Sequence, residues 1–482
     1  MQTKRPILWL VGGRLAGVAG TIAIPFVLAR VLDPSQFGAY RQLFLVFATL
    51  YAVAQVGMAE CLYYFVPRGE DDAGRFAANS MVALAAVGVA GAAVLTFASG
   101  PVAAVVGNPE VARWLPALGA FLACMLMSAV LEIVLVSRGR VREAAVTYFV
   151  SDIARAAFLV VPAIVYGTVT AVIAGAVAFA GLRLAATIVV LGRGFAGRFR
   201  PDFRLLPGQL AYALPFAAAI VIDTLQAQFH FYFVSNRFDV ATFAAYSVAC
   251  FQIPAVDYLV SAAGNVLMVA QARRAGDPAA VLDAWRDTVA RLSLVLVPLM
   301  AWILVAGPDI IVFLFGPRYA ASGGLFVLGS LAILGACLPT DASLRAFAET
   351  RFLFSVGILR LAVVAVSLPF LVGAFGLAGA ILSSLLSLAV GKAVALVRVR
   401  QRLGVRWSEL VPGRSLLATL IAAGGAAAFS LTVVRAFAWP SAFLRLGAAA
   451  AAFAPVFWVV AARLKLLPGV AGFGLRRVLA PR

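Results

Sequence analysis

Apolar runs of about 20 residues, the length that crosses a bilayer as a helix, recur along this chain from one end to the other. Short polar segments separate them, and the arginines crowd into every second segment. This alternation predicts an all-α polytopic membrane protein with about 14 transmembrane helices. The first span is read over residues 8–30 and the second over 41–66. The seventh and eighth cover 209–234 and 241–268, and the last pair 415–434 and 442–462. Glycine and alanine are dense within the runs, as in Gly88 to Ala93 and Ala422 to Ala428. Small residues let membrane helices approach closely, which suits a bundle of many helices.

The charged loops set the orientation. Arg68 and Arg75, Arg138 to Arg142, Arg193 to Arg204, Arg273 and Arg274, and Arg398 to Arg414 fall on one side together with Lys4 and Arg5. The alternate loops hold only scattered residues such as Arg113, Arg237, Arg318 and Arg435. Cationic loops stay in the cytoplasm, so both termini are expected there and the number of spans is expected to be even. The run after Lys4 and Arg5 contains Arg14 and reads as a retained first span rather than a signal peptide. Residues 269–290 read as a short amphipathic helix: Asp277 is an N-cap, Pro278 takes the first turn, and Val281, Leu282, Trp285 and Val289 share a face. It either lies on the cytoplasmic surface or extends the next span.

A repeat is written into the chain. Residues 26–40, FVLARVLDPSQFGAY, align without gaps on residues 232–246, YFVSNRFDVATFAAY. Asp33 matches Asp239, Phe37 matches Phe243, Ala39 matches Ala245 and Tyr40 matches Tyr246. Each aspartate is expected to cap a new helix, with Gln36 closing a capping box in the first copy. The aromatic residues are expected to anchor the membrane interface. Six spans separate the two starts, which predicts a parallel repeat of two six-helix lobes. The expected division is an N-lobe over 1–207, a C-lobe over 208–403, and a C-terminal pair of spans with a cytoplasmic tail over 404–482.

Composition narrows the function classes. Hydrophobic residues make up 63% and charged residues 12%, against about 25% charged in a soluble domain, and the mean hydropathy is +1.01. The net charge of +19 is spread over loops and span ends, so no nucleic-acid partner is expected. Cys61, Cys124, Cys250 and Cys337 form no CxxC pair and read as packing residues, with no metal site. No phosphate-binding GxxxxGK[ST] is present; Gly391-Lys392 lacks the upstream glycine and lies within a span. No catalytic residues and no cofactor are expected, only a coupling ion, H+ or Na+. Glu70-Asp71-Asp72 reads as a solvated turn.

Gly12-Gly13-Arg14, Ala29 to Pro34 and Phe37 to Tyr40, with Phe315-Gly316-Pro317-Arg318-Tyr319 and Phe375 to Ala380, together resemble the Wzx-type polysaccharide flippases of the multidrug/oligosaccharidyl-lipid/polysaccharide (MOP) exporter superfamily. The resemblance runs the length of the chain. It implies a V-shaped twelve-helix core, alternating access, and an undecaprenyl-diphosphate-linked oligosaccharide moved from the cytoplasmic to the periplasmic leaflet of a bacterial inner membrane. Polysaccharide polymerases and glycosyltransferases of the same pathway are the implied partners, beside membrane lipids. Lipid II flippases and multidrug or cation antiporters of the superfamily are the alternatives. A membrane polymerase or glycosyltransferase would need a sizeable external loop carrying polar residues.

Charges within spans cost about 2.5–3.5 kcal/mol each on insertion scales and so mark sites. Arg14, Arg155, Arg183 and Arg360 are the candidate substrate contacts, because a guanidinium grips phosphate oxygens in pairs. A structural pair is the competing reading for Arg14 with Glu60 and for Arg155 with Asp152. Glu60, Asp223, Asp341 and Arg345 are the candidates for coupling or gating, with Asp341 and Arg345 placed at i and i+4. His230, the only histidine, reads as an interface anchor.

Overall fold

A computed structural model of the chain describes residues 20–69, 71–195, 197–274 and 276–466. All regular structure among them is helical. Twelve helices are long and apolar enough to cross a membrane, and Leu206–Arg237 makes thirteen. These correspond to spans two to fourteen of the sequence reading. Most of the first span, with Arg14, lies outside the described residues. Large apolar side chains such as Phe97, Phe370 and Phe443 are 90%, 75% and 64% exposed, a burden that lipid rather than water accepts. The chain is a multi-pass membrane protein.

The fold divides into two compact units, Met1–Ser247 and Val248–Arg482. Unit one opens on α1 (Gly20–Val31). It continues with α2 (Pro34–Ala54), α3 (Leu62–Arg68), α4 (Ala73–Phe97), α5 (Ser99–Val105), a 3-10 turn over Pro109–Trp114, α6 (Leu115–Ser128), α7 (Val130–Ser137), α8 (Val141–Tyr166), α9 (Val169–Gly194) and α10 (Leu206–Arg237). Helices α4 and α6 pack through small residues in both directions. A Cβ on Gly88 would meet Ala123 at 2.8 Å, and one on Gly119 would meet Ala92 at 2.8 Å. Neither glycine can carry a side chain without parting the helices.

Span two is not continuous. Between α2 and α3 the chain leaves the helix, with Val56 at φ 47° and Gly57 at φ 69°. A β-branched residue in the left-handed region is held there at a cost of about 1–3 kcal/mol. The surroundings hold it. The Cys61 thiol donates to Met58 O at 3.2 Å, and the Gln209 amide on α10 donates to Phe76 O and Ser80 Oγ, each at 3.1 Å. Asn79 joins through Gln209 Oε1 at 3.2 Å and Asp202 O at 2.8 Å. Cys61 therefore sits in a hydrogen-bonded break rather than serving as packing within a helix.

Both repeat aspartates cap their helices. Asp33 accepts from Gln36 N at 2.9 Å, and Asp239 accepts from Thr242 N at 3.0 Å. Two details differ from the sequence reading. The Gln36 side chain accepts instead from Val169 N at 2.8 Å, tying α2 to the start of α9. Phe37, Phe243, Tyr40 and Tyr246 are all buried, so these rings fill the core of the unit instead of standing at the lipid interface. His230 is half-buried, and its Nδ1 lies 2.6 Å from the Tyr246 hydroxyl.

Helix α11 (Val240–Ala249) leads across the boundary between the units. Unit two then runs through α12 (Pro254–Arg273), α13 (Pro278–Phe315), α14 (Ser322–Ser330), α15 (Ala332–Ala336), α16 (Thr340–Ala346), α17 (Thr350–Phe375), α18 (Leu377–Leu403), α19 (Trp407–Leu410), α20 (Gly413–Ala436) and α21 (Ala442–Arg463). The amphipathic segment after Asp277 is the start of α13, so it extends the next span. Its face of Val281, Trp285 and Val289 is buried with Leu267, Leu344, Val399, Leu403 and Leu410, and Trp285 Nε1 donates to Leu410 O at 3.0 Å. The last helix, α21, is fastened to α13 by an ion pair of Arg445 with Asp309 at 3.2 Å.

Candidate functional site

A charge inside a span is tolerated only with a partner or a wet cavity, so each candidate is defined by what it touches. Arg14 lies outside the described residues. Arg155 on α8 donates to Asp152 Oδ1 at 3.1 Å and to Thr21 Oγ1 on α1 at 2.5 Å. Thr21 in turn donates to Asp152 Oδ1 at 3.2 Å. Arg183 on α9 grips both carboxylate oxygens of Glu132 on α7, at 2.8 and 2.9 Å, and also reaches Ser151. The Glu132 side chain in this pair is 3% exposed.

These groups form one cluster in unit one. The ring of Tyr51, at the end of α2, lies within electrostatic range of Arg155, Arg183, Glu132 and Glu60. Glu60 stands in the break of span two with its side chain exposed. Among the described residues the cluster thus sets Arg155 and Arg183 against three carboxylates, Glu132, Asp152 and Glu60. Arg183 and Arg155 are each held in an ion pair, and each keeps a buried Nε without a hydrogen bond. Sequence alone missed the Arg183–Glu132 pair because 51 residues separate its members.

Unit two holds the contrasting arrangement. The stem of Arg360 on α17 lies across Gly391 of α18, where a Cβ would stand 2.6 Å from Arg360 Cδ. Its Nε is buried without a partner, and among the described residues no carboxylate pairs with it. The next residue after Gly391, Lys392, was absent from the sequence candidates. Its ammonium donates to Leu338 O and Thr340 Oγ1, each at 3.2 Å, and lies 3.6 Å from Asp341 Oδ2. Asp341 therefore pairs with Lys392 and not with Arg345. Arg345 is exposed near the end of α16 and makes no ion pair among the described residues. The balance here is two cations, Arg360 and Lys392, against Asp341. Asp223 on α10 is exposed, without an ionic partner among the described residues.

Many apolar helices, a broken span and charges paired within spans describe a polytopic helical membrane protein. The chain belongs to the polysaccharide biosynthesis protein family, which matches residues 27–323. Its fold is that of the MOP superfamily. A solved lipid II flippase, MurJ, in an inward closed conformation is similar at a TM-score of 0.73 and 12% identity, covering 95% of this chain and 100% of that one. An inward-facing multidrug transporter of the MATE family is similar at 0.64 and 15% identity, over 81% and 94% of the two chains. A MOP transporter from Pyrococcus furiosus follows at 0.56 and 16%, over 84% and 99%. No curated protein matches the chain by sequence.

Proposed function

We propose that this protein is a flippase for lipid-linked oligosaccharides, moving an undecaprenyl-diphosphate-linked glycan from the cytoplasmic to the periplasmic leaflet of a bacterial inner membrane by alternating access. Both termini face the cytoplasm, as the arginine-rich loops indicate. The observation that carries the reading is Arg360, a cation within a span with no carboxylate partner among the described residues, next to Lys392, in a chain of the polysaccharide biosynthesis family. An anionic diphosphate is the kind of ligand that compensates such a charge. Arg14 and Arg155 are the candidate substrate cations of unit one. Arg183 contributes by holding Glu132 rather than by touching substrate. Glu60 and Asp223, exposed carboxylates without ionic partners among the described residues, are the groups for a coupling H+ or Na+. Polymerases and glycosyltransferases of the pathway supply and consume the substrate.

Reconstitution tests the reading. The protein is placed in vesicles carrying a lipid-linked oligosaccharide on the inner leaflet, and its appearance outside is followed with an impermeant lectin. Transport above protein-free vesicles that falls with Arg360→Gln is expected. Transport no faster than in empty vesicles, together with extrusion of a cationic dye, points to an antiporter.

A further inference from the structure

We propose that Arg68, with Tyr64 and Tyr212, forms a receiving site for the sugar–phosphate head of the substrate, at the arginine-rich end of unit one and apart from the charges within the spans. The proposal rests on the flippase reading above. Arg68 is the last residue of α3, and its guanidinium carbon stands 3.7 Å from the centre of the Tyr64 ring one helical turn earlier. Tyr64 stacks in turn on Tyr212 of α10, with ring centres 4.7 Å apart and planes 25° from parallel. The two rings are 39% and 38% exposed.

Among the described residues, which leave out Glu70, the surrounding acids are engaged elsewhere. The nearest described acids in sequence are Asp71 and Asp72. Asp71 pairs with Arg198 at 3.0 Å, and Asp72 with Arg75 at 3.0 Å. Arg75 also reaches Asp202 at 3.5 Å. Among the described residues no carboxylate lies within ion-pair distance of Arg68. Stacking on Tyr64 fixes the guanidinium plane and leaves its fork of N–H donors at the edge, the geometry that takes two phosphate oxygens at once. With Tyr64 taken up by Arg68 and Tyr212, it is the part-exposed ring of Tyr212, packed edge-on by Phe65, that offers an apolar, electron-rich surface to the C–H face of a sugar ring. Phosphate next to sugar is the chemistry of a glycosyl diphosphate lipid. A phospholipid headgroup shares the phosphate but lacks the ring.

The test uses the full chain in nanodiscs of phosphatidylethanolamine and phosphatidylglycerol. Two probes are titrated: a short-chain polyprenyl diphosphate bearing N-acetylglucosamine, and the same diphosphate without sugar. Arg68→Gln is expected to weaken both about tenfold or more, with Arg68→Lys between. Tyr212→Leu is expected to weaken only the sugar-bearing probe, and Tyr212→Trp to keep its affinity. Unchanged affinities in Arg68→Gln and Tyr212→Leu overturn the proposal while leaving the flippase reading intact. So does a Tyr212→Trp loss as large as that of Tyr212→Leu, which marks the ring as packing, or an Arg68→Gln effect that follows phosphatidylglycerol content alone, which marks a phospholipid site. If the wild type binds neither probe, the flippase reading fails first.

Discussion

A Cβ on Gly38 would stand 2.2 Å from the carbonyl oxygen of Val240. Gly38 belongs to the first copy of the internal repeat and Val240 to the second, so the two copies meet backbone to backbone within unit one. Around that contact, Gln42 donates to Ser235 Oγ at 3.0 Å and to Val106 O at 3.1 Å, and Asn108 donates to Gln42 Oε1 at 2.7 Å. Every polar group of the Gln42 side chain is thereby satisfied in a buried setting.

Gly38→Ala tests that contact. The opposing atom is backbone and cannot rotate away, so α2 must shift. The expected destabilisation is about 1–3 kcal/mol, read as a lower midpoint of thermal unfolding in detergent. An unchanged midpoint would place the two loops further apart than described.

The Arg183–Glu132 pair is a second test. Glu132→Ala leaves a guanidinium with no carboxylate in a site where its partner was 3% exposed, and about 3–5 kcal/mol is expected to be lost. The double variant Arg183→Met with Glu132→Leu should recover most of that loss. Equal losses in the single and double variants would mean the pair is not coupled.

Asp239 gives a pH dependence outside the spans. Hydrogen bonds from the Thr242 hydroxyl, at 2.5 Å, and from the Thr242 amide hold its carboxyl below the ordinary carboxylate range. A carboxyl with a folded pKa below its unfolded value of about 3.9 stabilises above that pH and stops doing so as pH falls through the folded value. Asp239→Ala is expected to cost about 1 kcal/mol at neutral pH, and the difference from wild type should narrow below about pH 4. Denaturant unfolding at several pH values reads it; a difference that grows on acidification contradicts the assignment.

Much of this fold was legible in the sequence. Period, length and loop charge located spans two to fourteen, and the aspartates of the repeat were recognised as caps because capping is a local matter of one side chain and the next turn. The failures share a cause. Gln36 looked like a capping-box residue, yet its partner Val169 lies 133 positions away. Phe37 and Tyr246 looked like interface anchors because the lipid boundary and the protein core are equally apolar in a one-dimensional pattern. Lys392 was weighed only as part of a phosphate-loop motif with Gly391, and Asp341 was set beside its helical neighbour Arg345, although the cation it meets sits on α18. The break at Val56 and Gly57 is flanked by Gln55 and Glu60, but the apolar length of the run around them outweighs that local signal.

Gly391→Ala examines the cation of unit two without removing it. The methyl group would displace the Arg360 stem, so export should fall severalfold while Arg360→Gln abolishes it, and both proteins should still insert. Normal export by Arg360→Gln removes Arg360 from the site; normal export by Arg14→Ala does the same for Arg14.

The most direct measurement is the pool of undecaprenyl-diphosphate-linked oligosaccharide in cells depleted of the protein. A flippase predicts that this pool accumulates on the cytoplasmic face while surface polysaccharide disappears. An unchanged pool, with cells newly sensitive to cationic compounds, would contradict the account and establish an antiporter in its place.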